Sequence, residues 1–277
     1  YKMRFSLGVY EKAMPESLSW EEKLTSARLS GFDRVEISID ETDKKLERLY
    51  EGDDFVNHLI ELQRKTGVTI RTMCLSGHRR FPLGSHFKEI RDKSMEIMKK
   101  AIEFSDKIGI RIIQLAGYDV YYNETSSPDS KQYFTENVIK SVEYASKYGV
   151  ILAFETMEND FMNTIEKSME YVTLVDSPYL QVYPDIGNVT NGAQDVVEDI
   201  RSGKGHIVAA HLKETKPKVF RNMRFGEGHV DFESAIRELK KQGVYMYTAE
   251  FWHDEKRDYL SEMKYAYSFL KPLLQEG

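Results

Sequence analysis

The sequence predicts a closed (β/α)8 barrel, on three observations. Eight short runs rich in Val, Ile and Leu recur along the 277 residues, each followed by apolar residues at helical spacing. Five helical stretches end in a Gly directly before the next run, as at Gly31, Gly67, Gly109, Gly149 and Gly243, which is the left-handed cap of an αβ loop. The repeat is roughly 35 residues long, the size of one βα module. No linker or composition break interrupts it, so residues 1–277 read as one domain.

The elements follow in order. The first strand is expected over Arg4-Phe-Ser-Leu-Gly-Val-Tyr10, and its helix presents Leu24, Ala27 and Leu29. Arg34-Val-Glu-Ile-Ser38 precedes a helix marked by Phe55, Leu59 and Leu62. The third strand, Thr69 to Ser76, leads to Ile90, Met95, Met98 and Ile102, and the fourth, Arg111 to Gly117, leads to Val138, Val142 and Ala145. Val150-Ile-Leu-Ala-Phe154 comes before Ile165, Met169 and Val172, and Leu180-Gln-Val-Tyr-Pro184 before Val196, Val197 and Ile200. Ile207-Val-Ala-Ala210 and Tyr247-Thr-Ala249 complete the set, with helices around Phe232, Ile236 and Leu239 and around Tyr259, Met263 and Phe269.

Ionisable residues stand at the downstream ends of the last four strands: Glu155, Asp185, His211 and Glu250. In a barrel of parallel strands these ends meet at one mouth, whereas the barrel interior prefers branched apolar side chains. Any one carboxylate alone reads equally well as a helix cap or a surface ion pair. Four in successive strands read as a site. Three carboxylates and an imidazole offer oxygen and nitrogen ligands to one divalent cation such as Mn²⁺, Zn²⁺, Mg²⁺ or Co²⁺. Glu155 and Glu250, from strands five and eight, can in addition move protons on two faces of a flat intermediate, as epimerisation requires.

Composition narrows the partners. A formal charge of −6 and a pI near 5.8 provide no global attraction to nucleic acid or anionic membrane, so the expected ligand is small. The single cysteine, Cys74, excludes an internal disulfide and a Cys-based zinc site, and fits a reducing compartment, so a cytoplasmic location is expected. No apolar run reaches the roughly 20 residues of a membrane-spanning helix, and Tyr1-Lys-Met-Arg-Phe5 lacks the apolar core of a signal peptide.

Two loops at the predicted mouth are locally basic. One carries His78, Arg79 and Arg80 after strand three; the other carries Lys213, Lys216, Lys218 and Arg221 after strand seven. Near exposed Gly amides, His78, Arg79, Arg80, Lys213 and Lys216 are candidate phosphate contacts, and Asn188 is a candidate for a substrate hydroxyl or for a helix cap. Trp252 and Phe251 can wall a pocket against the apolar face of a sugar, or simply pack. His229 and His253 are placed near the rim, and His206 at the opposite end of the barrel.

Long strings carry a family resemblance over nearly the whole chain. They include Leu7-Gly-Val-Tyr-Glu-Lys-Ala13, Gly31-Phe-Asp-Arg-Val-Glu36, Met73-Cys-Leu-Ser-Gly-His-Arg-Arg-Phe-Pro-Leu-Gly84, Ile113-Gln-Leu-Ala-Gly-Tyr-Asp-Val-Tyr-Tyr122, Tyr183-Pro-Asp-Ile-Gly-Asn188, Gly205-His-Ile-Val-Ala-Ala-His211, Thr215-Lys-Pro217 and Phe225-Gly-Glu-Gly228. With them the chain resembles the L-ribulose-5-phosphate 3-epimerases (L-xylulose-5-phosphate 3-epimerases) of ascorbate and pentulose catabolism, in the xylose-isomerase-like TIM barrel superfamily. The resemblance implies a metal held by Glu155, Asp185, His211 and Glu250, with the two glutamates as acid/base pair. It implies C3 epimerisation of L-xylulose 5-phosphate to L-ribulose 5-phosphate, and barrels of this kind often form homodimers through their outer helices. Met157-Glu158 departs from the family's Met-Asp pattern, so no role carries over to Glu158.

Three other readings compete. A 3-epimerase or aldose-ketose isomerase of free sugars would use the same barrel and cation, and only the basic loops argue against it. An abasic-site endonuclease of the superfamily needs a His-rich multi-metal site and a basic face, which 7 histidines and a charge of −6 do not provide. A non-catalytic sugar-phosphate binder would keep the pocket but has no use for two proton-transfer groups.

Overall fold

The computed structural model describes residues 4–276; Tyr1–Met3, part of the segment read as lacking a signal-peptide core, lie outside them. Eight parallel strands alternate with helices: β1 Ser6–Tyr10, β2 Arg34–Ile39, β3 Thr72–Leu75, β4 Ile112–Ala116, β5 Ile151–Glu155, β6 Leu180–Val182, β7 Ala210–Leu212 and β8 Met246–Ala249. The hydrogen-bonded order runs β6-β5-β4-β3-β2-β1-β8-β7. Parallel bridges Val182–Ile207 and Asp185–His211 join β6 to β7, so the ring closes as a (β/α)8 barrel.

The helices are α1 Trp20–Ser30, α2 Asp43–Glu47, α3 Asp53–Thr66, α4 Lys88–Ile108, α5 Pro128–Tyr148, α6 Ile165–Val175, α7 Ile186–Gly192, α8 Val196–Ser202, α9 Phe232–Lys241 and α10 Tyr259–Gln275. None among the described residues is long and apolar enough to cross a membrane. All five glycines expected to end helices have positive φ, from 64° to 104°. Strand ends shift by up to three residues from the expected ones. His211 lies inside β7 rather than beyond it, because Pro184 contributes a carbonyl to the His211 amide at 2.8 Å and extends the ladder there. The short helices α2 and α7 had no signature in the apolar periodicity.

The core is double. Val35, Ile37 and Ile39 of β2 alternate outward into the layer shared with the helices. Their neighbours Arg34, Glu36 and Ser38 face the barrel axis, where Tyr183, just past β6, donates a 2.6 Å hydrogen bond to Glu36 of β2. A small apolar layer of Ile112, Ala153, Tyr183 and Ala209 lies within the ring. The interior is therefore much more polar than the branched apolar filling expected, since it has to support ionisable groups from below.

Just past β1, buried Glu11 accepts hydrogen bonds from Lys23 (2.8 Å), Lys45 (3.1 Å), Arg48 (2.6 and 2.8 Å) and the Ser38 amide (2.8 Å). Burial alone would raise its pKa, but Arg48, Lys23 and Lys45 together hold it far below the usual carboxylate range. This cluster pins α1 and α2 to the β1–β2 side of the mouth.

Candidate active site

Glu155, Asp185, His211 and Glu250 each offer one ligand atom, and the four atoms lie within 4.8 Å of one another. They come from four adjacent strand ends, β5 to β8, and all are buried. Glu155 Oε1 is 3.4 Å from His211 Nδ1, and Glu250 Oε2 contacts the same nitrogen. Asp185 does two things at once. Its Oδ1 caps α7 by accepting the Asn188 amide at 2.9 Å, while Oδ2 meets the Lys213 ammonium.

The supports of these side chains come from distant strands. His211 Nε2 donates to Glu36 Oε1 at 2.5 Å, so the lone pair of a neutral ring is on Nδ1. Lys213 Nζ pairs with Asp185 Oδ2 at 3.0 Å and donates to Asn188 Oδ1 at 2.7 Å. Asn188 in turn donates to the Thr156 carbonyl at 2.8 Å, and the Thr156 hydroxyl donates to the Asp185 carbonyl at 3.1 Å.

Electrostatics here are strongly coupled. Burial and the charge of Glu250 raise Glu155 to about 7, against a hydrogen bond from His211. Burial also opposes ionisation of Glu250, but His211 and then Lys213 bring it down to about 2. Burial raises Asp185 despite Lys213. For His211, burial favours the neutral ring, yet Glu36 and Glu250 outweigh it and raise its pKa.

The donor set fits a divalent cation. Asp185 Oδ2, His211 Nδ1 and Glu250 Oε2 are buried and, among the described residues, meet only Lys213, Glu155 and one another, without a well-formed hydrogen bond. Three carboxylates converging on an imidazole lone pair repel one another unless positive charge stands between them. One cation bound to all four would satisfy these atoms together.

Beside Glu250 opens a cleft of about 520 Å³ whose walls include Lys213, Arg221, Trp252, His253, Arg224 and Arg257. Phe251 also lines it, while packing on Phe225. The Arg221 guanidinium lies 4.3 Å from the Trp252 ring centroid. On the other side of the quartet, Arg79 faces the adjoining rings of Tyr118 and Tyr121, each 6.0 Å away, with its Nε buried and without a hydrogen-bond partner among the described residues. Burial opposes its charge, but Tyr118 and Glu155 raise its pKa further. Glu158 accepts hydrogen bonds from Tyr118 (2.5 Å) and Tyr122 (2.9 Å) in the same patch.

Not every candidate joins the mouth. His78 is buried and its Nε2 donates to the Ser94 carbonyl at 3.1 Å, a packing role that leaves no face for phosphate. Burial lowers its pKa to about 4. Arg80 points to solvent and pairs with Asp43 at 2.7 Å. Lys216 is exposed in a tight turn closed by Val219. His206 bonds Gln181 at 2.9 Å, and His229 bonds the Thr215 hydroxyl at 3.0 Å. Sequence reasoning missed Glu36 altogether. The signal was present in Arg34-Val-Glu-Ile-Ser-Ile39, whose alternation puts a carboxylate on the same face as the other inward positions of a parallel strand.

Comparison with known proteins agrees with this architecture. The family model of the xylose isomerase-like TIM barrel matches residues 24–273. L-ribulose-5-phosphate 3-epimerase UlaE of Shigella boydii serotype 18 (strain CDC 3083-94 / BS512) is 45% identical over 266 residues, 96% of this chain and 93% of that protein. Among solved structures, a D-tagatose 3-epimerase-like protein superposes with a TM-score of 0.81 at 19% identity, covering 98% of this chain and 97% of the other. The IOLI protein, solved with a zinc atom, gives 0.81 at 17% identity over 97% and 98%. These two are likenesses of fold. By model match and by identity, the chain belongs to the xylose isomerase-like TIM barrel family and, within it, to the L-ribulose-5-phosphate 3-epimerases, a group of isomerases.

Proposed function

We propose that this protein epimerises a pentulose 5-phosphate at C3, converting L-xylulose 5-phosphate to L-ribulose 5-phosphate, with Glu155 and Glu250 as the proton-transfer pair and one divalent cation as cofactor. The observation that carries the reading is the meeting of these two carboxylates at His211 Nδ1, in a chain 45% identical to enzymes named for this reaction.

A bound cation would polarise the C2 carbonyl and its neighbouring hydroxyl, lowering the cost of the enediolate. Glu155, Asp185, His211 and Glu250 would hold it. One glutamate takes the C3 proton as the C3–H bond breaks, leaving a planar enediolate. The other returns a proton to the opposite face, which inverts C3 without any net redox change. Lys213 and Asn188, tied to Asp185, orient the carbonyl end of the substrate. Arg79, whose charge has no ion-pair partner among the described residues, takes the phosphate; His78, Arg80 and Lys216 are withdrawn from that role.

The active unit we propose is one catalytic domain, assembled as a homodimer in the cytoplasm, where phosphorylated sugars are retained. Incubating the cation-loaded enzyme with C3-deuterated L-xylulose 5-phosphate or L-ribulose 5-phosphate tests the reaction. Label should wash out to solvent as the epimer forms, and a chelator should stop both. Retention of label at C3 during turnover would overturn the proton-transfer mechanism, and turnover of free pentuloses alone would overturn the phosphate.

A further inference from the structure

Glu36 has no exposure, sits in the middle of β2 and uses both oxygens. Oε1 receives His211 Nε2, while Oε2 accepts hydrogen bonds from the Thr72 hydroxyl at 2.8 Å and the Tyr183 hydroxyl at 2.6 Å. Tyr183 also stands edge-on to the His211 ring, with centroids 4.9 Å apart and planes at 76°. The imidazole is thus held by its far nitrogen and by one flank.

Beneath Glu36 lies a second buried charge. The Arg34 guanidinium donates to the hydroxyls of Thr248 (3.1 Å) and Thr72 (3.5 Å). Thr72 bonds Glu36 directly, and Thr248 reaches it through Tyr183 at 2.8 Å. Two hydroxyl bridges therefore connect the cation to the carboxylate. Gly8 makes room for it, since a Cβ there would lie 2.7 Å from Arg34 Nη1. A charge pair in the middle of a barrel is a poor way to gain stability, because apolar residues of like volume do as well or better. Its arrangement suits another task.

We propose that Glu36 is a positioning residue for the cation site, fixing His211 in the tautomer and orientation that present Nδ1 to a divalent cation, with Arg34 as the counter-charge of Glu36. A ligating histidine that donates its other N–H to a carboxylate is a stronger and better oriented ligand, and losing that partner typically costs 10–100-fold in metal affinity. The inference rests on the reading of the quartet as a cation site, and it assigns the selection of the ligand nitrogen to Glu36 on β2, a strand that supplies no ligand itself.

Chelator-stripped wild type, Glu36→Gln, Glu36→Ala and Tyr183→Phe would be titrated with Co²⁺, followed by its visible absorption, and with Zn²⁺ in competition with a chromophoric chelator. ¹⁵N-histidine NMR reports the His211 tautomer in the same samples. Glu36→Ala should bind about 10–100-fold more weakly and lose the single Nε2–H form. Glu36→Gln, which keeps an acceptor but not the charge, and Tyr183→Phe should show smaller losses, and they decide the matter if the alanine variant does not fold. Unchanged affinity in folded variants beside a wild type that binds Co²⁺ would overturn the inference alone, as would weaker binding with an unaltered tautomer. A wild type that binds neither ion would overturn the cation site itself, and this inference with it.

Discussion

Glu155 and Glu250 reach the same nitrogen of His211, yet their proton affinities are driven apart. Burial and the neighbouring charge of Glu250 take Glu155 up to about 7, while His211 and Lys213 overcome burial and bring Glu250 down to about 2. Two carboxylates whose surroundings separate them in this way are suited to opposite halves of a proton transfer. The asymmetry comes from position. Lys213 follows β7, next to the β8 strand that carries Glu250, whereas Glu155 on β5 meets the negative charges of Glu250 and Asp185.

Glu155→Gln and Glu250→Gln should each lower kcat by at least ~10²–10⁴-fold, the usual contribution of a positioned acid or base. Far-UV circular dichroism should stay unchanged, because an amide of the same shape replaces each carboxylate. Full activity of either variant with cation present would remove that residue from the acid/base pair.

Arg79→Met should raise KM for the phosphorylated pentulose by about 10–100-fold, in line with the loss of a charge-assisted hydrogen bond of roughly 1.5–3 kcal/mol. Arg80→Met, which removes a solvent-facing charge paired with Asp43, should leave KM nearly unchanged. Steady-state kinetics on the two variants separates adjacent arginines, and the reverse ranking would move the phosphate away from Arg79.

His78 makes stability depend on pH in a definite direction. Its ordinary value of 6.5 applies to the unfolded chain, and burial lowers the folded value to about 4. Above 6.5 both states are neutral there and the native state keeps its full margin. As pH falls from 6.5 to 4, the unfolded chain takes up a proton that the native site refuses, so stability declines by up to about 3 kcal/mol. Urea unfolding across that range should show a shallower decline for His78→Gln, whose side-chain amide can still donate to the Ser94 carbonyl. Parallel curves for the two proteins would rule out His78 as the cause.

Glu11→Gln would leave Lys23, Lys45 and Arg48 buried without their common carboxylate. Removing one partner from such a cluster costs about 3–5 kcal/mol, which for a chain of this size corresponds to a fall in Tm on the order of 10 °C. Differential scanning calorimetry measures it directly. A Tm within a degree or two of wild type would mean that water already shares these charges.

What could be read from the chain was whatever local order expresses. Glu155, Asp185, His211 and Glu250 were legible because each closes a short apolar run, and parallel strands bring their downstream ends to one rim. The helix-ending glycines were legible for the same kind of reason, since a left-handed cap depends on its own few residues. Arg79 and Arg80, by contrast, are indistinguishable as letters. The 3₁₀ turn Gly77–Arg79 sends one toward Tyr118 and the other toward Asp43.

The sequence by itself determined the barrel and the four residues at its mouth, because hydrophobic periodicity and strand-end position are local properties that repeat. Only the tertiary structure decided what stands behind them. Glu36 and His211 are 175 positions apart, and Tyr183 and Glu36 are 147 apart. Nothing in either neighbourhood announces the other: a side chain inside a barrel meets its partners across the ring, and closure of all eight strands is what sets those distances.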